Sequence, residues 1–203
     1  DVMNKQREII YAQRREVLDG KDIKETILHM MHTSIADHVA MAFGENQSLD
    51  AAGYREMMLG LEGIYFPKGA FPLTEEEISE KSQQDFTDMF TAAAEKTYEA
   101  KEAEITPPIM RELERVIMLR VVDEYWMDHI DAMDDLKQGI RLRAYANTDP
   151  VIAYKQESLT MFDEMISAIQ AETVRRMFSV RIKKDEEVKR ERVAKGMVEN
   201  VGG

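Results

Sequence analysis

The 203-residue chain contains no cysteine. This absence excludes disulfide bonds, thiol catalysis and the zinc or iron–sulfur sites that depend on cysteine ligands. Long apolar runs are also missing. The longest stretch without Asp, Glu, Lys or Arg, Thr26–Ala36, has eleven residues, whereas a membrane-spanning helix needs about 20. The first residue is aspartate and no charged-then-apolar leader follows, so we expect a soluble fragment of a longer protein.

Sequence patterns of common catalytic sites are missing as well. The chain has no P-loop, no dinucleotide-binding glycine motif and no nucleophile elbow. His29 and His32 are three residues apart, which a metal site can use, but no carboxylate lies three residues before any of the four histidines. The pattern therefore disfavours a ferritin-like metalloenzyme. We predict surface or core-edge positions for the histidines and no metal site.

The charge is acidic and unevenly distributed. Against 27 Lys and Arg stand 39 Asp and Glu, a net charge of −12, which argues against a nucleic-acid binder. Residues 37–106 carry a net charge of −10, whereas residues 1–36 are neutral, residues 107–180 carry −4 and residues 181–203 carry +2. This asymmetry predicts separate structural units.

The predicted fold class is all-α, because apolar residues recur at helical spacing and strand-like alternation is absent. A first helix is predicted over residues 2–18. Asp19-Gly20 then favours a break before a second helix, capped by Asp22 and Glu25 and ending near residue 43, although one continuous helix is the alternative.

Further helices are predicted near residues 49–61 and over residues 75–103. The second of these begins with a capping box, because Thr74 precedes Glu77 by three residues. Fifteen methionines are spread along the chain. They favour core packing at helix–helix contacts, and the alternative is an adaptable surface for apolar partners.

Two long helices follow. The first begins at Thr106-Pro107-Pro108 and runs to about residue 142, and the second begins at Asp149-Pro150 and covers residues 151–180. The short loop between them predicts an antiparallel hairpin. We predict that the two helices bury each other through apolar stripes that include Val116, Ile152 and Leu159. Residues 181–203 are nearly all charged or small and predict a flexible linker.

The hairpin tip combines positive charge with an aromatic ring. Lys137, Arg141 and Arg143 lie near the end of the first long helix, after an acidic stem, and Tyr145 lies in the loop. The basic residues either dock to a partner or stabilise the helix C-terminus. Tyr145 either packs back onto the hairpin or is exposed and contacts an extended polypeptide regardless of its sequence.

Three blocks of the sequence are distinctive: DVMNKQR at 1–7, LRVVDEYWMDHIDAMDDLKQGIRLRAYANTDP at 119–150 and YKQES at 154–158. They closely resemble the C-terminal region of bacterial SecA, the ATP-driven motor family of preprotein secretion. The resemblance covers about residues 1–180 and is loosest between residues 40 and 105. It implies part of the long scaffold helix at 1–36, the helical wing domain at 37–106 and the scaffold's two-helix finger at 107–180, before a charged linker at 181–203.

The resemblance also implies roles for single residues. In the family, the fingertip enters the cytoplasmic mouth of the SecY channel and its loop aromatic contacts the translocating polypeptide. The matching residues are Arg143, Ala144 and Tyr145, and we predict that Tyr145 is largely exposed. Lys137 and Arg141 are candidates for docking to the channel. Trp126 belongs to the stem of the finger, whose packing in the family helps to restrain the ATPase.

The implied partners are a SecY-type channel, preprotein substrates and the motor's own nucleotide-binding domains, together with self-association. The implied location is cytoplasmic, at the inner face of the bacterial plasma membrane. The family's Walker motifs lie upstream and are absent here, so we expect no catalytic residues and no cofactor in this chain, with ATP and magnesium belonging to the full-length protein. The alternative function is a generic helical adaptor that binds a partner through methionine-rich surfaces.

Overall fold

The computed structural model describes residues 1–143 and 149–182. Within these ranges the chain forms seven α-helices and no strand, which confirms the all-α prediction. The helices are α1 (Val2–Leu18), α2 (Lys24–Phe43), α3 (Ala51–Leu59), α4 (Glu75–Glu80), α5 (Gln83–Ile105), α6 (Pro107–Arg143) and α7 (Pro150–Ser179). The predicted linker at residues 181–203 lies almost entirely outside the described residues.

The break between α1 and α2 lies at Gly20, as predicted. Gly20 has φ +82°, a conformation that glycine adopts without steric cost. The predicted capping of α2 is wrong in detail. Ile23 occupies the N-cap position and offers no side-chain hydrogen bond. Asp22 still satisfies an unpaired donor, because its Oδ1 accepts a hydrogen bond from the Lys24 amide at 2.9 Å.

The predicted capping box of Thr74 and Glu77 is confirmed, but the helix it starts ends after two turns. Ser82 and Asp85 form a second capping box, which starts α5. The single helix predicted over residues 75–103 is therefore two helices. The sequence pattern was present, since Ser82 precedes an acidic residue by three positions, but the apolar spacing across the break concealed it.

Residues from all seven helices contribute to one hydrophobic cluster. Its centre between α2 and α5 is aromatic, and Phe86 and Phe90 are fully buried and stacked with ring centroids 5.7 Å apart. Most methionines also lie in buried positions, as the core interpretation predicted: Met30, Met31, Met57, Met58, Met110, Met118, Met133, Met165 and Met177. Met41 and Met127 are exposed.

A glycine is required where α3 ends. A Cβ atom at Gly60 would lie 2.3 Å from Cε1 of His38. The His38 ring occupies that space because its Nε2 is hydrogen-bonded to the carbonyl oxygen of Met57 at 2.9 Å. The imidazole thus ties α2 to the end of α3.

The helices α6 and α7 form the predicted antiparallel hairpin. Glu124 of α6 lies beside Arg176 near the C-terminal end of α7, with 2.6 Å between Oε2 and Nη2. At the other end, a second apolar cluster joins α6 to the start of α7, and its members include Met133, Leu136, Ile140, Ala153, Tyr154 and Met161. With 37 residues, α6 is about 55 Å long at ~1.5 Å per residue.

Three members of the predicted stripes face outward instead. Val116 is 48% exposed, Ile152 is 52% exposed and Leu159 is 61% exposed. Helical spacing identifies a candidate apolar face, but only the position of the neighbouring helices decides how wide a face is covered. The predicted boundary at residue 36 falls inside α2, and the division into scaffold, wing and finger stays a prediction.

Candidate functional site

The predicted fingertip lies at the edge of the described structure. Arg143 is the last residue of α6, and its side chain lies outside the described residues. Ala144 and Tyr145 lie outside them as well. The exposure of Tyr145 therefore stays a prediction.

The flanks of the tip are described and carry an exposed surface that is both basic and apolar. Lys137 and Arg141 are exposed on the last turns of α6. Beside Arg141, Leu142 is 78% exposed, and at the start of α7 Val151 is 60% exposed. Asp149 accepts a hydrogen bond from the Val151 amide at 2.9 Å, and Pro150 occupies the first turn, as predicted. This cap fixes where α7 begins.

Trp126, predicted to belong to the finger stem, is buried in α6 with 5% exposure. Its ring lies beside the His129 imidazole, with centroids 5.5 Å apart, and His129 in turn contacts Phe162 of α7. The indole Nε1 is buried and has no hydrogen-bond partner among the described residues. Trp126 therefore acts on its neighbours by packing.

Next to Trp126, a chain of buried hydrogen bonds joins three helices. Gln6 of α1, His129 of α6 and Ser158 of α7 are all at least 94% buried. The Gln6 Nε2 donates to the carbonyl oxygen of Ser158 at 3.2 Å, and the Gln6 Oε1 lies 2.8 Å from the His129 Nε2. The carbonyl can only accept, so the Gln6 oxygen must face the histidine. The neutral imidazole consequently carries its proton on Nε2, and burial lowers the pKa of His129, which favours that neutral form.

Ion pairs support the same three-helix contact from outside. Arg14 of α1 forms a two-bond ion pair with Asp123 of α6, at 2.8 and 3.1 Å. Arg176 of α7 bridges Glu124 of α6 and Glu172 of its own helix. Hydrogen bonds from Arg175 and then Arg176 lower the pKa of Glu172 to about 2, so this carboxylate is charged at neutral pH.

A second contact holds the end of α7 against α5. The Lys101 Nζ donates to the carbonyl oxygens of Met177 and Val180, the latter at 2.6 Å. These carbonyls belong to the helix terminus, where no amide of α7 remains to pair with them. Phe178 packs between Tyr65 and Tyr98, with centroid distances of 5.1 and 5.7 Å. Burial lowers the pKa of Lys101, while the two carbonyl oxygens favour its charged form.

The junction of α5 and α6 is strained and bridged by charge. Thr106 has φ +80°, which a β-branched residue adopts only at a cost in free energy. Glu102 before the junction pairs with Arg111 after it, and Lys24 of α2 pairs with Glu102 at 3.1 Å. Arg111 also pairs with the fully buried Glu114, whose pKa is raised by burial.

The remaining candidates are the histidines. Across residues 1–143 and 149–182, no three ligating side chains are grouped in a way that could hold a metal ion. His32 instead pairs with Glu95 at 2.7 Å. His129 is buried, so for this histidine the predicted surface or core-edge position is wrong. No helix among the described residues has the length and apolar character needed to cross a bilayer.

Comparison with known protein families decides the assignment. A family model described as the SecA wing and scaffold domain matches residues 1–181. The chain belongs to this SecA family. The match confirms the resemblance in the three sequence blocks, and the matched SecA region contains no nucleotide-binding domain.

Curated SecA relatives match along nearly the whole chain. The protein translocase subunit SecA of Acetivibrio thermocellus is 43% identical over 203 residues, which are 100% of this chain and 22% of that protein. Its counterpart in Clostridium botulinum is 48% identical over 187 residues, 91% of this chain and 22% of that protein. The SecA 1 subunit of Clostridioides difficile is 46% identical over 182 residues, 90% of this chain and 20% of that protein. The chain thus spans about a fifth of the SecA relatives it matches.

Two contacts were not foreseen from the sequence. Gln6 occupies a buried position of α1 between Met3 and Ile10, and a lone polar residue at such a position is a usable signal. The sequence around Lys101 did not indicate its contact, because Lys101 lies in a charged stretch of α5 that is typical of a solvated surface.

Proposed function

We propose that this chain is the coupling region of a SecA protein translocase. In this proposal α1 and the helices of the predicted wing (residues 37–106) contact the nucleotide-binding domains of the motor. The predicted finger (residues 107–180) engages a SecY-type channel and the translocating preprotein. The chain contributes position and contact, while ATP and magnesium are bound by domains outside it.

The observation that carries the proposal is how α6 and α7 of the predicted finger pack against each other. The helices α6 and α7 bury a shared stripe, and the Glu124–Arg176 ion pair crosses between them. Their packing continues to Ile140, which is 7% exposed, one turn before the end of α6. Two helices that pack against each other over this length transmit a displacement from one end of the pair to the other, as an element that engages a polypeptide must.

The flanks of the tip suit a channel mouth at a membrane surface. Leu142, Val151 and Ile152 present apolar side chains to solvent near the tip, and Arg141 and Lys137 add positive charge on the same end of α6. Exposed apolar groups close together are typical of protein contacts, and basic residues are attracted to the anionic inner leaflet. A cytoplasmic location at the inner face of the plasma membrane follows from this assignment.

Exposed apolar side chains on α1 support the proposed contact with the nucleotide-binding domains. Ile9, Tyr11 and Leu18 are 46%, 52% and 57% exposed. Between α1 and α6 lies an open groove of about 740 Å³, to which Tyr11, Leu18 and the exposed Met127 contribute. In a full-length SecA these surfaces are available to the remaining four-fifths of the protein, and in the chain alone they favour self-association.

Site-specific cross-linking tests the proposal. A photoreactive residue is introduced at Tyr145 in a full-length SecA that carries this chain, and a matched control is placed at the exposed stem residue Asp131. We expect ATP-dependent cross-links from position 145, and not from position 131, to the preprotein and the channel. Tyr145→Ala should slow transport, whereas Tyr145→Phe, which keeps the ring, should not. Equal cross-linking at both positions and normal transport by Tyr145→Ala would contradict the proposal.

A further inference from the structure

The buried chain of Gln6, His129 and Ser158 connects parts of the sequence that are far apart. Gln6 is 123 residues from His129 and 152 residues from Ser158. Both hydrogen bonds of Gln6 join α1 to the helices of the predicted finger, and both are shielded from water. The Arg14–Asp123 ion pair between α1 and α6 is exposed. A buried amide that loses its partners is left unsatisfied, while an exposed ion pair can exchange its partner for water.

The apolar contacts of α1 specify its position along the predicted finger less sharply than these hydrogen bonds do. Met3, Ile10 and Val17 recur every seven residues along α1 and face the finger. Such a stripe retains most of its apolar contact when the helix shifts along its neighbour, because apolar packing is weakly directional. A single buried polar residue in an apolar stripe is a known way to select one register, since every other register leaves it without partners.

We propose that Gln6 is a positioning residue that fixes the register of α1 against the finger through its hydrogen bonds to His129 and to the Ser158 carbonyl. The consequence is that α1 and the finger move as one body. This inference rests on the proposed function in one respect, since the register matters to transport only if the finger engages the channel and the preprotein.

The test requires variants that remove the hydrogen bonds and retain the packing. Gln6→Met removes one partner and leaves the His129 imidazole unsatisfied, so it is expected to destabilise the fold. The double variant Gln6→Met/His129→Leu removes both partners, and such replacements are close to neutral in stability. The Ser158 carbonyl stays paired in either variant, because it lies inside α7. Gln13→Met is the matched control, an exposed glutamine on the same helix.

Register is measured directly by cross-linking, which the cysteine-free chain permits without background. Cysteine pairs at positions 14 and 123, and at positions 14 and 127, are treated with a short bifunctional thiol reagent. Position 123 is the native neighbour of Arg14, and position 127 lies one helical turn further along α6. We expect the native chain and Gln13→Met to favour the 14–123 pair. The double variant should lower the ratio of the two products by about fivefold, the change that one net hydrogen bond makes in an equilibrium.

Transport is measured in a full-length SecA that carries this chain. We expect the double variant to keep its melting temperature within about 3 °C of the native value. It should consume more ATP for each polypeptide transported than the native protein, because a smaller fraction of its molecules holds the native register. A merely structural role would lower stability and leave this ratio unchanged.

The outcomes separate the inference from the proposed function. If the double variant keeps the native cross-linking ratio and the native ATP consumption per polypeptide, the positioning role of Gln6 is wrong. If it changes the cross-linking ratio but not the ATP consumption, Gln6 fixes the register as inferred, and the coupling of this register to transport is wrong. Failure of the native fingertip to cross-link to channel or preprotein contradicts the proposed function and leaves the register measurement intact.

Discussion

The sharpest prediction for the stability of the fold concerns Lys101. The Lys101→Met substitution retains a long apolar side chain and removes the ammonium group that donates to the carbonyl oxygens of Met177 and Val180. Those oxygens terminate α7 and have no other partner in the helix. The stem of the lysine side chain packs in the same way as methionine, so the substitution isolates the polar contact.

The expected loss follows from the environment of the two bonds. Hydrogen bonds to a charged group contribute about 1.5–3 kcal/mol each to stability, and an unsatisfied buried acceptor costs about 1–3 kcal/mol. Lys101 is only partly buried, so water can reach one of the carbonyls after the substitution, and the two losses do not add in full. We therefore expect Lys101→Met to lower the free energy of unfolding by about 2–3 kcal/mol.

Urea denaturation followed by circular dichroism measures the loss, with Lys96→Met as the control. Lys96 is exposed on the same helix, and its substitution should change the free energy of unfolding by less than about 0.5 kcal/mol. Hydrogen exchange should locate the effect, because the Val180 amide, which donates to the Arg176 carbonyl at 2.9 Å, loses protection when the helix end frays. Equal losses for the two lysines, or unchanged protection of Val180, would refute the capping role.

Two further predictions concern a glycine pair and pH. Gly60→Ala should destabilise the chain by about 1–3 kcal/mol, because the new methyl group would overlap the His38 ring. Gly139→Ala should stabilise it by about 0.5–1 kcal/mol, because a Cβ there meets nothing within 4 Å in a helix; thermal denaturation of both variants checks the opposite signs. Burial lowers the pKa of His129, so between the two pKa values the unfolded chain binds more protons than the folded chain. The neutral imidazole therefore adds stability above its unfolded-state pKa of about 6.5, and this stability is lost as the pH falls towards the folded-state pKa. Urea titrations from pH 7 to 5 should show the native chain losing more stability than His129→Gln, and parallel losses would be evidence against a buried neutral imidazole.

Local signals made the hairpin of α6 and α7 predictable. The Asp149-Pro150 start of α7 and the Thr106-Pro107 start of α6 are short-range features, and the short loop between the two helices dictates their antiparallel arrangement. The Thr74 cap was predictable for the same reason. Each of these depends on residues within one helical turn of each other, so the sequence alone contains the necessary information.

Contacts between distant segments were not predictable in this way. The partner of Gln6 is set by how α1 lies on α6 and α7, and no periodicity within α1 specifies that placement. Lys101 contacts the end of α7, 76 residues further along the chain. Ile152 and Leu159 illustrate the converse, because the same apolar spacing places them on a face that none of the described helices covers.

The sequence separation of the Gln6 contacts has a consequence for synthesis of the chain. Helix α1 leaves the ribosome before α6 and α7, and its buried partners His129 and Ser158 follow 123 and 152 residues later. At about 5–20 residues per second, α1 waits roughly 6–30 s with its apolar stripe uncovered. The helices α6 and α7, which are neighbours in sequence, pair with each other as soon as α7 emerges. During translation α1 therefore waits longer for its packing partners than α6 or α7 does, and its apolar stripe needs protection by a chaperone until they emerge.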